Sequence, residues 1–209
     1  MAQTITRNSS YDNYLQALKM GRKEKKLRIR EGRPGILPCL EDRLSRADIV
    51  REEELGLQEI PFSKIAGTYT RLRSETFAAN FMPLLAIETE FAQKWTSLCN
   101  AHLEEGIRHP IKVYEYLNYF YVIEGNKRVS VLKFFDAPAI LGEVIRIIPK
   151  LDRDNPEIRL YYEFLDFYRH TRLNNIWFSG EGSFAELWEL IKDWRMEGDN
   201  NSSGFDGDS

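Results

Sequence analysis

The run Tyr119-Phe120-Tyr121-Val122-Ile123-Glu124-Gly125-Asn126-Lys127-Arg128-Val129-Ser130-Val131-Leu132-Lys133 decides how the middle of the chain is read. Its first five residues are aromatic or β-branched and read as a strand that stops at Glu124-Gly125. Beyond the glycine the period changes: Val129, Leu132 and Phe135 recur at helical spacing until Asp136-Ala137-Pro138 breaks the pattern. A strand that turns through one glycine into a helix leaves the first helical N–H groups without intrahelical partners, and the helix dipole favours negative charge there. Lys127 and Arg128 add formal charge at the same point. Two readings fit these residues: an anion cradle turned by Gly125, or an ordinary strand-to-helix glycine flanked by two solvated basic side chains.

Working outward, Ile111 to Tyr116 and Tyr119 to Ile123 are two β-rich runs separated by Leu117-Asn118, the pattern of a hairpin. Ile140 to Ile148 reads as a further strand closed by Pro149. Upstream, Phe91, Trp95, Leu98 and His102 share one face of a helix, which Gly106 is placed to end. Leu57 to Pro61 alternates like a short strand, Phe62 to Ile65 reads as a turn, and the polar residues 66–76 are a candidate binding loop. These elements predict an α+β domain over 57–150.

Residues 1–56 are expected as a helical N-terminal extension, with Ser10 capping a helix through Tyr14, Leu15 and Leu18 that Gly32 and Pro34 stop, and a second short helix at Leu40 to Leu44. Residues 151–196 are expected as a helical C-terminal extension packing on the domain. Its first helix is capped by Asn155 ahead of Pro156 and carries an aromatic face of Tyr161, Phe164 and Tyr168; its second has capping-box spacing at Ser183 and Glu186. Residues 197–209 read as a flexible acidic tail.

The chain has 209 residues, 43% of them hydrophobic and 29% charged, which excludes disordered and fibrous classes and is enough to build a core without metals or disulfides. No apolar run approaches the ~18 residues of a spanning helix, and the N-terminus lacks the apolar core of a signal peptide, so the sequence is read as cytoplasmic without a membrane span. Cys39 and Cys99 stand apart and read as reduced thiols. The three histidines, His102, His109 and His170, lack metal-ligand spacing, so no structural metal is expected. Walker, Rossmann and nucleophile-elbow motifs are absent. The net charge of −3 averages unlike parts: Glu197, Asp199, Asp206 and Asp208 leave +1 on residues 1–196, and the segment 19–33 alone carries +6. Such a run is either a solvated helix face or a grip for nucleic acid or an anionic membrane surface.

Three ordered pieces then carry a resemblance: Leu57-Gln58-Glu59-Ile60-Pro61-Phe62-Ser63-Lys64-Ile65; Leu103-Glu104-Glu105-Gly106-Ile107-Arg108-His109-Pro110-Ile111-Lys112-Val113; and Tyr119 through Arg128 with its Gly-x-x-Arg turn. Their order and spacing resemble the ParB/sulfiredoxin superfamily. The resemblance implies a small mixed sheet with packed helices, and a phosphate site at Gly125, Asn126, Lys127 and Arg128. It implies that Arg71 or Arg73 matches a further family arginine and that the ligand is a nucleoside phosphate, with or without Mg²⁺. The chain departs from sulfiredoxins, whose catalytic cysteine occupies the turn where Asn126 and Lys127 stand here, so that chemistry is excluded. It departs from ParB proper in the aromatic segment 155–195, which does not read as a helix-turn-helix. The expected function is a nucleotide- or phosphate-binding module, regulatory or DNA-associated through residues 19–33, with a protein partner or second copy as further partners. The alternative is a phosphotransferase or nucleotide hydrolase of the same fold, for which Glu75 and Glu124 are the candidate bases.

Overall fold

The computed structural model describes the backbone of residues 9–202 and the side chains of residues 9–194. The chain divides into two compact units, the first ending at Pro149 and the second starting at Lys150.

The first unit is α+β, as expected. Its strands β1 (Ile49–Pro61), β2 (Ile65–Thr68), β3 (Ile111–Tyr116), β4 (Tyr119–Glu124) and β5 (Ala139–Pro149) form one mixed sheet in the order β1-β5-β3-β4-β2. β1 with β5 and β3 with β4 are antiparallel; β3 with β5 and β2 with β4 are parallel. The β3–β4 hairpin turns on Leu117 and Asn118, both at positive φ (52° and 62°), which is what a two-residue turn between right-twisted strands requires. Glu115 of β3 lies opposite Arg146 of β5 in the parallel register, and the two form an ion pair buried in the sheet.

Four helices accompany the sheet: α1 (Ser10–Arg30), the single turn α2 (Arg71–Ser74), α3 (Glu90–Glu104) and α4 (Asn126–Phe134). α4 is short but buried on two sides. Val129 and Leu132 join Val113, Val122 and Val144 of the sheet, while Val131 packs with Ala92 and Trp95 of α3 and Tyr14 and Ala17 of α1. Each such side chain contributes about 1.5–3 kcal/mol on burial. Across the contact between α3 and α4 the buried Trp95 indole donates to the Ser130 hydroxyl at 2.9 Å. Tyr14 donates its hydroxyl to the Leu85 carbonyl, and burial pushes its phenol up to about 12. Gly21 seats α1 closely, because a Cβ there would lie 2.4 Å from the Pro83 carbonyl oxygen.

Several expected details differ. The cap of α1 is Ser9, whose hydroxyl accepts from the Asp12 N–H; Ser10 is already helical and donates to Asn100. β1 starts at Ile49 rather than Leu57, because β5 offers a hydrogen-bonding partner along the whole stretch, which the exposed charges of Arg51 to Glu54 do not advertise. The helix expected at Leu40 to Leu44 is a single 3₁₀ turn, Leu40–Asp42. Residues 66–76 are not a loop: they contain β2 and α2, and the buried hydroxyls of Thr68 and Ser74 are taken up by the carbonyls of Val122 and Leu37. The α3 face that is fully buried is Ala92, Trp95 and Cys99, which leaves Phe91, Leu98 and His102 half-buried beside it.

The second unit contains α5 (Pro156–Thr171) and α6 (Ser183–Ser202). Asn155 caps α5 as expected, accepting from the N–H groups of Glu157 and Ile158. Phe164 and Phe167 of α5 meet Phe184 of α6, and Phe178 completes the aromatic core. Ser183 opens α6 as its first helical residue instead of capping it, and the preceding Gly182 donates its N–H to Glu163 of α5. α6 continues through Ser202, past the expected end at Met196; the rest of the expected tail, residues 203–209, lies outside the described residues. Among the described residues no helix is long and apolar enough to cross a membrane.

Candidate functional site

The strand–glycine–helix junction forms as the sequence reads. Gly125 sits at φ +106°, a conformation open to glycine, and a Cβ there would lie 2.5 Å from Ile111 Cγ2. The first intrahelical bond of α4 runs from the Val129 N–H to the Gly125 carbonyl at 3.0 Å, so the N–H groups of Asn126, Lys127 and Arg128 have no partner within the helix.

This end of α4 opens on a groove of about 420 Å³, lined by the Gly125 to Arg128 turn, by Phe91, Lys94 and Leu98 of α3, and by Arg73 of α2. Its floor is apolar and its rim cationic. The Lys127 ammonium lies 4.9 Å from the centre of the Phe91 ring, a cation–π contact, and its pKa is lowered by burial and then by the neighbouring charges of Arg73 and Lys94, with Glu90 opposing. Lys94 is paired with Glu90 along α3. Asn126 is buried, and its Oδ1 lacks a hydrogen-bond partner. An anion placed among these groups meets unpartnered N–H donors, the positive end of a helix and three side-chain cations. The dipole alone is worth up to ~2 kcal/mol in a partly buried geometry.

The expected site residues separate. Arg73 faces the groove; Arg71 does not, since its guanidinium pairs with Asp42 and its N–H with Glu41 on the 3₁₀ turn. Arg128 lines the groove but its guanidinium is turned back: it donates to the carbonyls of His109 and Pro110 and, at 3.3 Å, to Glu124, leaving the side chain 18% exposed. It ties the start of α4 to the segment entering β3. Of the candidate bases, Glu75 is exposed at the end of α2, away from the groove lining, and Glu124 lines the rim while paired with Arg128. Lys94 and Phe91 were not singled out as site residues by the sequence reading. The signal was present in the spacing of α3, where Glu90 and Lys94 at i, i+4 and Phe91 flank the buried Ala92-Trp95 face, but nothing local says which helix will lie across the glycine turn.

Among the described residues, no group of three or more His, Cys, Asp or Glu side chains is placed to hold a metal ion.

No family model matches the chain, and no curated protein matches it. Solved structures that match include sulfiredoxin from Arabidopsis thaliana, at 19% identity over 42% of this chain and 82% of that one, with a TM-score of 0.30. They also include the C-terminally truncated chromosome-partitioning protein ParB from Caulobacter crescentus, complexed with CTP-gamma-S, at 13% identity over 58% of this chain and 56% of that one, with a TM-score of 0.31.

Proposed function

We propose that this chain is a ParB-like binding module that holds the phosphates of a nucleoside phosphate in the groove at the start of α4. The observation that carries the reading is the convergence of Arg73, Lys94 and Lys127, from three different helices, on the free N–H groups after Gly125. Like charges brought this close raise one another's cost, and a bound anion removes that cost. The half-buried Phe91 ring and Leu98 supply an apolar wall against which the rest of a ligand can lie. Gly125 permits the close backbone approach, the N–H groups of Asn126 and Lys127 donate to phosphate oxygens, and Arg128 acts as a tie that holds the turn. The groove itself does not suit a resident cation, its carboxylate Glu124 being engaged by Arg128, so Mg²⁺ would enter with the ligand's own phosphates.

The test is a thermal-shift panel of CTP, ATP, ADP and GTP, each with Mg²⁺ and with EDTA, on wild type and on the R73Q/K127Q double variant. A ligand at 100 times its dissociation constant stabilises the fold by ~2.7 kcal/mol. The double variant is expected to melt like wild type without ligand and to lose the shift; R128A is expected to melt earlier even without ligand. If no nucleotide moves the wild-type curve, or the double variant keeps the shift, the reading fails. Release of inorganic phosphate over hours, abolished in E124Q, would assign the groove to an enzyme rather than a binding module.

A further inference from the structure

The groove leaves unused the most basic part of the chain. α1 is anchored by its first half: its buried residues are Ser10, Asn13, Tyr14, Ala17, Leu18 and Gly21, and beyond Gly21 none of its residues is buried. Its second half is covered on one side only, where Gly35 of the returning chain comes up against Lys25 and Ile29, and presents its opposite side to solvent. The structure also sorts the charges of this segment. At 100° per residue, Lys19, Arg22, Lys23, Lys26 and Arg30 fall within an arc of about 100°. All five are exposed, and none forms an ion pair among the described residues. The acids of the segment are elsewhere: Glu24 pairs with Arg28 and Glu31 with Arg33, roughly 80–100° beyond the edge of the arc. What the sequence shows as a mixed run of +6 is, on the folded helix, a stripe of one sign.

We infer that this stripe is a docking face for the phosphodiester backbone of a nucleic-acid duplex, gripped without base contacts. The five cations span a rise of about 16 Å. Duplex DNA carries one negative charge per ~1.7 Å of axis, so the same length presents about ten phosphates, and the stripe neutralises about half of them. An anionic membrane is the competing polyanion, but a helix that lies in a membrane interface needs a continuous apolar face between its cations. Here the exposed aliphatic residues do not form one face: Leu15 lies within the stripe, Ile29 and Leu27 on its opposite flanks and Met20 beyond Leu27, while the buried residues of the first half pack with α3. The docking face does not depend on the nucleotide groove, which is built from other elements.

The experiment is fluorescence anisotropy of a 30-base-pair duplex with the full chain, titrated at several salt concentrations. Five phosphate contacts give a slope of log K against log[salt] near −4.5, so affinity is expected to fall about 500-fold between 50 and 200 mM. The variant K23A/K26A/R30A is expected to reduce the slope to about −1.8. A control that removes the same formal charge elsewhere, R33A/K112A/R169A, is expected to keep the wild-type slope, as is R73Q/K127Q. A slope unchanged in the stripe variant overturns the inference, as does an equal loss in the control, which would mean net charge alone is at work. Binding to vesicles of 30% phosphatidylserine that the duplex does not compete away would assign the stripe to a membrane and overturn it too.

Discussion

Lys127 and Arg128 are adjacent in the chain, yet the start of α4 leaves one ammonium in the groove and folds the neighbouring guanidinium onto the carbonyls of His109 and Pro110. Sequence makes both of them cations at a helix N-terminus. Which one is free depends on where the segment before β3 passes, and that is a tertiary fact. Lys133, at the other end of the same helix, is a different case. Its ammonium lies 4.9 Å from the Phe81 ring centre and 6.0 Å from that of Phe62, and burial lowers its pKa. A lysine whose pKa is lower in the folded than in the unfolded chain makes unfolding take up a proton between the two values, so its cost to stability is full below the folded pKa and is relieved as pH rises toward the ordinary value of ~10.4. Urea midpoints of wild type are therefore expected to gain on those of K133M as pH is raised from 7 to 10, with K133M equal to or above wild type at pH 7. A wild-type midpoint that falls relative to K133M over that range contradicts this.

At the scale of elements, the junction of β4 with α4 was legible in the sequence because three local signals coincide: a β-rich run, a glycine, and a change of apolar period. The Leu117-Asn118 hairpin and the Asn155-Pro156 cap were legible for the same reason. The length of β1 was not, since a strand stabilised by cross-strand pairing need not look like one, and neither was the use of α2 and α3 as the far walls of the groove. The junction also gives the sharpest prediction about a single substitution. G125A meets two penalties, a left-handed backbone conformation and a Cβ against Ile111, and is expected to cost ~2–5 kcal/mol from strain of ~1–2 and overpacking of ~1–3. Chemical denaturation checks it: a loss under ~1 kcal/mol would mean that β3 and α4 yield at this contact.

For the whole molecule, the division after Pro149 predicts that the first unit folds alone. Residues 150–154 are exposed and outside regular structure, and they contain Lys150 and Arg153. Brief trypsin treatment is expected to release a fragment ending at one of these that still melts cooperatively; a fragment that loses its transition on cleavage contradicts the division. The fold of that unit was legible only as a class, because its sheet is closed by partners distant in sequence, β1 with β5 and β2 with β4. The buried pair of Glu115 and Arg146 bears on how such closures find their alignment. Slipping β5 by one residue against β3 would carry the guanidinium to the opposite face of the sheet and strand the carboxylate, a mismatch of ~3–5 kcal/mol. Aliphatic neighbours such as Val144 and Ile147 tolerate approximate alignment; this charge pair works as an indexing mark, telling two strands that are not neighbours in the chain which of several near-equivalent settings is the right one.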